Sequence, residues 1–312
     1  MTKIDLVTGF LGAGKTTFIK KYAQYFMDQG MNIGILENDF GSVNVDRMLL
    51  KDMEGEKCTV EMITGGCDRE CHRRRFRTKL IAMGMSGYDR VIIEPSGIFD
   101  MDEFFDTLHE SPLDNWYEIG NIIAIVDVKL ENNLSEQADY ILASEVANAG
   151  CVLLSKTKEA EREQVFRTIG HIVNAVKNIG CDRIIDKDII LKDWSSFTDE
   201  DFLNISTCGY VHASYEKKYA GDEEIFHTLY FMNTTVPEKD LSLTIKKIFW
   251  DKNCGQVFRV KGYLKTEREN DWIEINATKK NVSINHVPYG QEVFIVIGEN
   301  LKEEAIREYF CS

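Results

Sequence analysis

The sequence has 312 residues, of which 44% are hydrophobic and 28% charged, the composition of an ordinary soluble protein with room for two domains. Its formal net charge of −14 argues against a nucleic-acid partner, because little would neutralise phosphates. No apolar run approaches the roughly 18 residues of a membrane helix, and Lys3 and Asp5 interrupt a signal-like start. With eight dispersed cysteines, we expect a cytoplasmic protein with reduced thiols and no membrane partner.

A complete phosphate-binding loop, Gly-x-x-x-x-Gly-Lys-Thr, stands at residues 9–16. An apolar run at 4–7 precedes it and a helical pattern over 14–29 follows it. This order of strand, glycine loop and helix start directs backbone N–H groups and the helix dipole at an anion. Lys15 is expected to reach the β- and γ-phosphates, and the Thr16 hydroxyl to bind Mg²⁺. The pattern predicts a nucleoside-triphosphate site.

The next strand candidate, 32–37, ends in a polar cluster that contains Glu37, Asn38, Asp39 and, shortly after, Asp46. Carboxylate and amide oxygens at a strand end suit Mg²⁺ coordination or a loop that senses the nucleotide. A solvated turn would have a similar sequence, and the sequence leaves that alternative open.

A cysteine loop follows, with Cys67, Cys71 and His72 close together. If a helix begins near Cys67, then Cys71 lies at i+4 on the same face. Two thiolates and an imidazole suit Zn²⁺, Co²⁺ or another transition metal of similar softness. Three carboxylates are candidates to complete the site: Glu37, Asp39 and Glu70. The alternative is a pair of free cysteines that are redox-active or inert.

A further apolar strand, 90–94, ends in Glu94-Pro-Ser-Gly97. A carboxylate at the end of a parallel strand beside a phosphate loop can bind Mg²⁺ or its water, or orient an attacking water. Gly97 can bring a backbone N–H toward a γ-phosphate and act as a hinge. An ordinary strand-end turn is the alternative, since Pro95 and Gly97 are both turn residues.

The segment expected to recognise the base is the least regular motif. Proteins that select guanine usually carry Asn-Lys-x-Asp after a strand, whereas here Ser155-Lys156-Thr157-Lys158 follows the strand candidate 151–155. Lys156 can lay its aliphatic stem along a purine. Lys158, at the carboxylate position, cannot accept a hydrogen bond, and Glu159 is one residue out of register. The choice between GTP and ATP therefore stays open.

Strand and helix patterns alternate through the first two-thirds of the chain, which predicts βαβ units and a mostly parallel sheet with both faces covered. We expect a P-loop NTPase domain over 1–214, a polar linker over 215–224 and a small α+β domain over 225–312. The remaining strand candidates are 3–8, 121–126, 183–186, 225–232, 257–266, 272–275, 281–285 and 292–297. The remaining helix candidates are 73–85, 135–149, 159–179, 241–250 and 301–310.

Together these motifs resemble the CobW-type P-loop GTPases, relatives of the urease and hydrogenase nickel-insertion GTPases. The matching segments are 8–17, 37–41, the cysteine loop from 65, 94–97, 258–264 and 296–301. The resemblance covers nearly the whole chain and implies slow GTP hydrolysis, with phosphate and Mg²⁺ bound by residues 9–17 and Glu94 in the hydrolysis switch. With the interpretation of the residues above, the expected nucleotide-binding residues are Gly9, Gly12, Ala13, Gly14, Lys15, Thr16, Thr17, Ser155 and Lys156. The expected Mg²⁺ ligands are Thr16, Asp39 and Glu94, and the expected catalytic residues are Lys15, Glu94 and Gly97. The family's Cys-x-Cys-Cys motif is here reduced to Cys67 and Cys71 with His72.

The resemblance also implies a function, namely delivery of a transition metal or a metal-containing cofactor to a client metalloprotein or cofactor-dependent enzyme. GTP and Mg²⁺ would order the loops at 37–46 and 65–72, and hydrolysis would release the metal. A GTPase chaperone that gates loading of an organometallic cofactor without binding metal is one alternative. A small-molecule kinase with a preference for ATP is another. Such GTPases are often homodimers, on which the sequence gives no direct information.

Overall fold

The computed structural model describes residues 1–38, 50–63, 69–97, 99, 101–131, 134–216, 226–232, 234, 236–266, 268 and 271–310. The chain divides into two compact units, Met1–Lys218 and Tyr219–Ser312. Most of the expected linker, 215–224, lies outside the described residues. Within the described ranges, none of the helices combines the length and apolar character needed to cross a membrane.

The first unit is built on one parallel sheet. Its described strands are β1 (Thr2–Thr8), β2 (Ile33–Asn38), β3 (Cys58–Ile63), β4 (Arg90–Pro95), β5 (Tyr117–Asp127), β6 (Cys151–Ser155) and β7 (Ile189–Ile190). They lie in the order β3-β2-β4-β1-β5-β6-β7. Its described helices are α1 (Lys15–Asp28), α2 (Arg69–Gly84), α3 (Met101–His109), α4 (Leu113–Trp116), α5 (Glu136–Asn148), α6 (Arg162–Asn178) and α7 (Asp199–Ile205).

Helices cover both faces of this sheet, which explains why its central strands are apolar along their length. On β4, Val91 and Ile93 point into one hydrophobic core and Ile92 points into the other. All six residues of β4 are buried. The predicted P-loop NTPase architecture is confirmed. In such a sheet, ligands bind at the carboxyl ends of the strands, which the covering helices do not bury.

The strand expected at residues 183–186 is wrong. Arg183 instead donates hydrogen bonds to the carbonyls of Ala147 (2.7 Å) and Val146 (3.2 Å) at the end of α5, and pairs with Asp188 at 2.7 Å. An arginine at a helix C-terminus satisfies carbonyls that lack intrahelical partners. The edge strand is the two-residue β7, which pairs with β6 immediately after this turn. The sequence pattern alone does not reveal such a long-range cap.

The second unit is an antiparallel sheet with two described helices. Its strands are β8 (Phe226–Phe231), β9 (Gln256–Lys265), β10 (Trp272–Thr278), β11 (Asn281–Val287) and β12 (Val293–Glu299), in the order β11-β10-β9-β12-β8. The helices are α8 (Glu238–Trp250) and α9 (Glu303–Phe310). Leu241 and Ile245 from α8 and Phe310 from α9 share one core with Phe294 of β12. The expected small α+β domain is therefore confirmed.

Candidate nucleotide and metal site

The phosphate loop joins β1 to α1 and is shaped by glycine. Gly9 has a φ of 146°, and a Cβ at this position would lie 2.2 Å from the carbonyl oxygen of Ile125. Lys15 donates a hydrogen bond to the Gly9 carbonyl at 2.8 Å, so its ammonium group lies within its own loop. In the described structure no side chain caps the start of α1 at Gly14. The first N–H groups of the helix are thus suited to an anion.

The end of β4 is in direct contact with this loop. Thr16 donates a hydrogen bond from its hydroxyl to Glu94 Oε1 at 2.8 Å. A Cβ on Gly97 would lie 2.5 Å from Leu11 Cδ2 and 2.9 Å from the Leu11 amide nitrogen, so Gly97 packs against the loop backbone. A hydroxyl and a carboxylate are oxygen ligands of the kind Mg²⁺ prefers. These residues therefore fit the expected magnesium site, whereas Asp39 lies outside the described residues.

A second buried carboxylate lies beside Glu94. Glu37 pairs in register with Glu94 across β2 and β4, and with Met62 across β2 and β3. Glu37 is 2% exposed and Glu94 is 6% exposed. Because register partners point to the same face and neighbouring strands are about 4.8 Å apart, both carboxylates occupy one small region. Two carboxylates this close and this buried favour a cation between them.

Helix α2 carries the described part of the cysteine loop. Cys71 is half-buried and His72 is fully buried. The Nε2–H of His72 donates a hydrogen bond to Asn38 Oδ1 at 2.6 Å, which leaves Nδ1 as the nitrogen with a lone pair. This bond connects the first turns of α2 to the end of β2. Cys67 lies outside the described residues, and within those residues no three histidine, cysteine, aspartate or glutamate side chains form a metal site.

The segment after β6 reaches the phosphate loop from the other side. Lys156 has a left-handed backbone, with a φ of 58°. Its Nζ donates to the Gly12 carbonyl at 3.2 Å and pairs with Asp127 Oδ2 at 2.5 Å. The hydroxyl of buried Ser155 donates to the Val126 carbonyl at 3.4 Å. The lysine stem thus lies beside the loop, where the sequence predicts contact with a purine.

Glu145 is a buried carboxylate that sequence reasoning missed. It lies on α5 and accepts a hydrogen bond of 2.6 Å from the Thr8 hydroxyl, directly before the phosphate loop. Burial raises its pKa to about 7, against the opposing effects of Thr8, Lys15 and the Gly9 amide. A charged residue on the buried side of a helical pattern is the one signal that would have identified it.

Asp127, the partner of Lys156, was also missed, although a signal was present. It follows the apolar run of β5 in the way that Glu94 follows that of β4. Carboxylates in this position stand at the carboxyl edge of a parallel sheet, where ligands bind. The same reasoning that identified Glu94 from the sequence therefore applies to Asp127.

The parallel sheet, the glycine loop and the strand-end carboxylate define this protein as a P-loop nucleotide-binding protein. The family model of the CobW/HypB/UreG nucleotide-binding domain matches residues 3–180. The model of the cobalamin synthesis protein cobW C-terminal domain matches residues 232–312. The chain belongs to the CobW/HypB/UreG family, which confirms the resemblance given by its motifs.

The chain is similar in sequence to proteins named as zinc chaperones and as a zinc-regulated GTPase. The chain is 27% identical over 323 residues to the zinc chaperone YjiA of Escherichia coli, across 99% of this chain and 97% of that protein. It is 28% identical over 161 residues to zinc-regulated GTPase metalloprotein activator 1 of Schizosaccharomyces pombe, across 49% of this chain and 38% of that protein. The crystal structure of Zn(II)-bound YjiA GTPase from E. coli aligns over 99% of this chain and 98% of that chain, with 18% identity and a TM-score of 0.38.

Proposed function

We propose that this protein is a GTP-hydrolysing switch that delivers a transition metal, zinc above all, to a client metalloprotein. The observation that carries the proposal is the hydrogen bond from Thr16 to Glu94, with Glu37 as the register partner of Glu94. It joins the start of the phosphate-binding helix to the strands from which the two candidate metal loops leave. The relatives named zinc chaperone and zinc-regulated GTPase support zinc as the cargo.

In the nucleotide half of the site, the phosphates lie against residues 9–17 and Lys15 exchanges the Gly9 carbonyl for phosphate oxygens. Thr16 and Glu94 would hold Mg²⁺, directly or through its water, with Asp39 as a further ligand. Mg²⁺ held there would neutralise charge on the β- and γ-phosphates. Gly97 presents its N–H toward the γ-phosphate from its place against Leu11, so loss of that phosphate changes the position of the β4 loop.

In the metal half, Cys67 and Cys71 would supply thiolates and His72 would supply Nδ1. The hydrogen bond from His72 Nε2 to Asn38 is the contact that a metal-binding histidine typically makes with its second nitrogen, where it fixes the tautomer and the ring orientation. The donor set of sulfur and imidazole suits Zn²⁺. These three ligands leave a fourth position, which Glu37 or a side chain of the client could fill.

The register of the sheet couples the two halves. Asn38 pairs with Ile63 on one side and with Pro95 on the other, so β2, β3 and β4 end in a single row. The loop after Pro95 contacts the nucleotide site, and the loop after Ile63 contains the cysteines. Because a ligand shifts an equilibrium only by its differential affinity, the proposal requires that the metal bind with different affinities in the GTP and GDP states.

The test is a Co²⁺ titration of the reduced, metal-free protein, followed by thiolate-to-metal absorption in GTP·Mg²⁺ and then in GDP·Mg²⁺. We expect a thiolate band that forms more tightly with GTP. Cys71→Ser should weaken it, whereas Cys208→Ser, at the other half-buried cysteine among the described residues, should leave it unchanged. Equal affinities in the two nucleotides would overturn the coupling.

The same metal-free protein distinguishes the proposed metal-delivering GTPase from the non-metal chaperone and from the small-molecule kinase. Absence of a thiolate band in both states, with GTP still hydrolysed, would favour the chaperone that gates cofactor loading without metal. Preference for ATP together with a phosphorylated small-molecule product would favour the kinase. Failure to bind any nucleoside triphosphate would remove the whole proposal, since every role above depends on the phosphate loop.

A further inference from the structure

The position of a bound base is limited by two elements beside the phosphate loop. Lys156 lies on one side, with its Nζ bonded to the Gly12 carbonyl. Trp194 also lies against the loop. Its ring atom Cη2 would be 3.2 Å from a Cβ on Gly14, and its ring packs on Phe18 with 5.8 Å between ring centroids. A purine attached to a nucleotide in this loop therefore extends toward the segments that follow β6 and β7.

Lys158, which takes the position of the usual guanine-binding carboxylate, turns toward the loop after β7. Its Nζ donates to Ser195 Oγ at 2.5 Å and lies 3.5 Å from Asp193 Oδ1. Its side chain is 63% exposed, whereas that of Asp193 is 18% exposed. The segment after β6 therefore supplies a positive charge, Lys158, and the segment after β7 supplies a negative charge, Asp193, next to each other.

Asp193 is held rigidly by its own turn. Its Oδ1 accepts hydrogen bonds from the amide of Ser195, at 2.9 Å, and from the Ser195 hydroxyl. These hydrogen bonds, with Lys158 nearby, hold the pKa of Asp193 below its usual range, so the group is ionised at neutral pH. All these contacts reach Oδ1, and within the described part of the chain Oδ2 has no protein donor.

The other carboxylates near this end of the site are committed elsewhere. Asp127 accepts from the Lys129 amide through Oδ1 and from Lys156 through Oδ2. Glu159, the residue one place out of register, points to Lys129 at 2.5 Å and its side chain is 61% exposed. Of these three described carboxylates, Asp193 is the one that combines a fixed position, a negative charge and an oxygen with no protein donor.

We propose that Asp193 recognises the guanine base and so replaces the missing carboxylate of the Asn-Lys-x-Asp motif. Guanine presents two adjacent donors, N1–H and N2–H₂, which match a carboxylate. Adenine presents an acceptor at N1 and has no amino group at C2, so it would face Asp193 with a lone pair. Lys158 keeps the carboxylate in place through its charge and through Ser195. This inference rests on the proposed function, because it assigns the base specificity of the same nucleotide site.

The test replaces Asp193 with asparagine and measures affinities for GTP, ATP and xanthosine triphosphate in Mg²⁺. Xanthine has a carbonyl at C2 in place of the amino group, so the asparagine amide can donate to it while still accepting from N1–H. We expect Asp193→Asn to weaken GTP binding by roughly 10- to 100-fold and to strengthen xanthosine triphosphate binding by a similar factor. Asparagine also caps helical turns, so the turn at 194–196 is expected to persist.

Glu159→Gln is the matched control, because it neutralises the rival carboxylate by the same chemical change. It should leave the preference for GTP unchanged. A switch toward xanthosine triphosphate in Glu159→Gln, or the absence of a switch in Asp193→Asn, would overturn the assignment. Wild-type protein that prefers ATP would overturn it too. Since the readout is a gain of affinity, unfolding of the variant cannot imitate it, and wild-type binding of GTP reports separately on the proposed function.

Discussion

Thr16 and Glu94 lie 78 residues apart in the chain, yet the Thr16 hydroxyl donates a hydrogen bond of 2.8 Å to the Glu94 carboxylate. The bond forms because β4 lies directly beside β1 in the sheet, so the loops after both strands leave from the same edge. It holds the first turn of α1 against the end of β4 and so connects the phosphate loop to the strand-end carboxylate.

The first prediction concerns this pair. Thr16→Ala should weaken GTP binding in Mg²⁺ by roughly 10-fold or more, because a hydroxyl ligand and a hydrogen bond to a charged group are both lost. Binding without Mg²⁺ should change little. Calorimetric titration in Mg²⁺ and in a chelator measures both affinities. Thr16→Ser keeps the hydroxyl and is the control, so a comparable loss in that variant would contradict the assignment.

The second prediction concerns the contact between Gly97 and the phosphate loop. Gly97→Ala should lower GTP turnover, because its Cβ would overlap Leu11 and push the β4 loop away from the nucleotide. Gly170→Ala is a suitable control, since a Cβ there meets nothing within 4 Å and the position is inside α6. That change should keep turnover and raise stability by up to about 1 kcal/mol. Equal turnover in both variants would exclude a role for Gly97 in the switch.

The third prediction concerns pH and Glu145. Its folded pKa of about 7 lies above the ordinary value of 4.5, so the folded state binds the proton more tightly than the unfolded state does. Stability from this group is therefore present at low pH and is lost as the pH rises from 4.5 through 7. The loss is on the order of 3 kcal/mol. Glu145→Gln should flatten this slope in urea unfolding of the protein between pH 5 and pH 8, and parallel slopes would refute it.

The fourth prediction concerns the buried pair of Asp5 and Arg90. Asp5 is fully buried and also accepts hydrogen bonds from Tyr22, at 2.9 Å, and from the Asn121 amide, at 2.9 Å. Asp5→Asn leaves the Arg90 charge uncompensated and should lower the free energy of unfolding by about 3–5 kcal/mol. Asp52→Asn, which removes an exposed pair with Lys20, should change it by about 0.5 kcal/mol or less. Chemical denaturation of both variants compares the two costs directly.

The strands and the phosphate loop could be predicted from the sequence because their signals are local. A glycine loop between an apolar run and a helical pattern specifies its own conformation, and Glu94 is marked by the strand that precedes it. Glu37 was identified in the same way, although only the register shows that it lies beside Glu94. Such pairings depend on the order of strands in the sheet, which the pattern of one strand does not contain.

Asp193 shows the opposite case. The turn that follows it, Trp194–Ser196, has no recognisable motif. The proposal that it recognises the base rests on its contact with Lys158 and on the position of Trp194 against Gly14. The wrong strand at 183–186 has the same origin, because Arg183 makes its contacts with a helix more than thirty residues earlier. Long-range polar contacts determine both segments, and local periodicity carries no information about them.

The row formed by Asn38, Ile63 and Pro95 limits which insertions and deletions the sequence can accept during evolution. A segment that leaves this row can lengthen, shorten or exchange its ligands while the strand from which it leaves stays fixed in the ladder. A deletion of one residue inside β2 would instead turn Glu37 to the opposite face of the sheet, away from Glu94. If the proposed function is correct, differences in metal specificity among related proteins should lie in these segments, whereas the lengths of β2, β3 and β4 should stay constant.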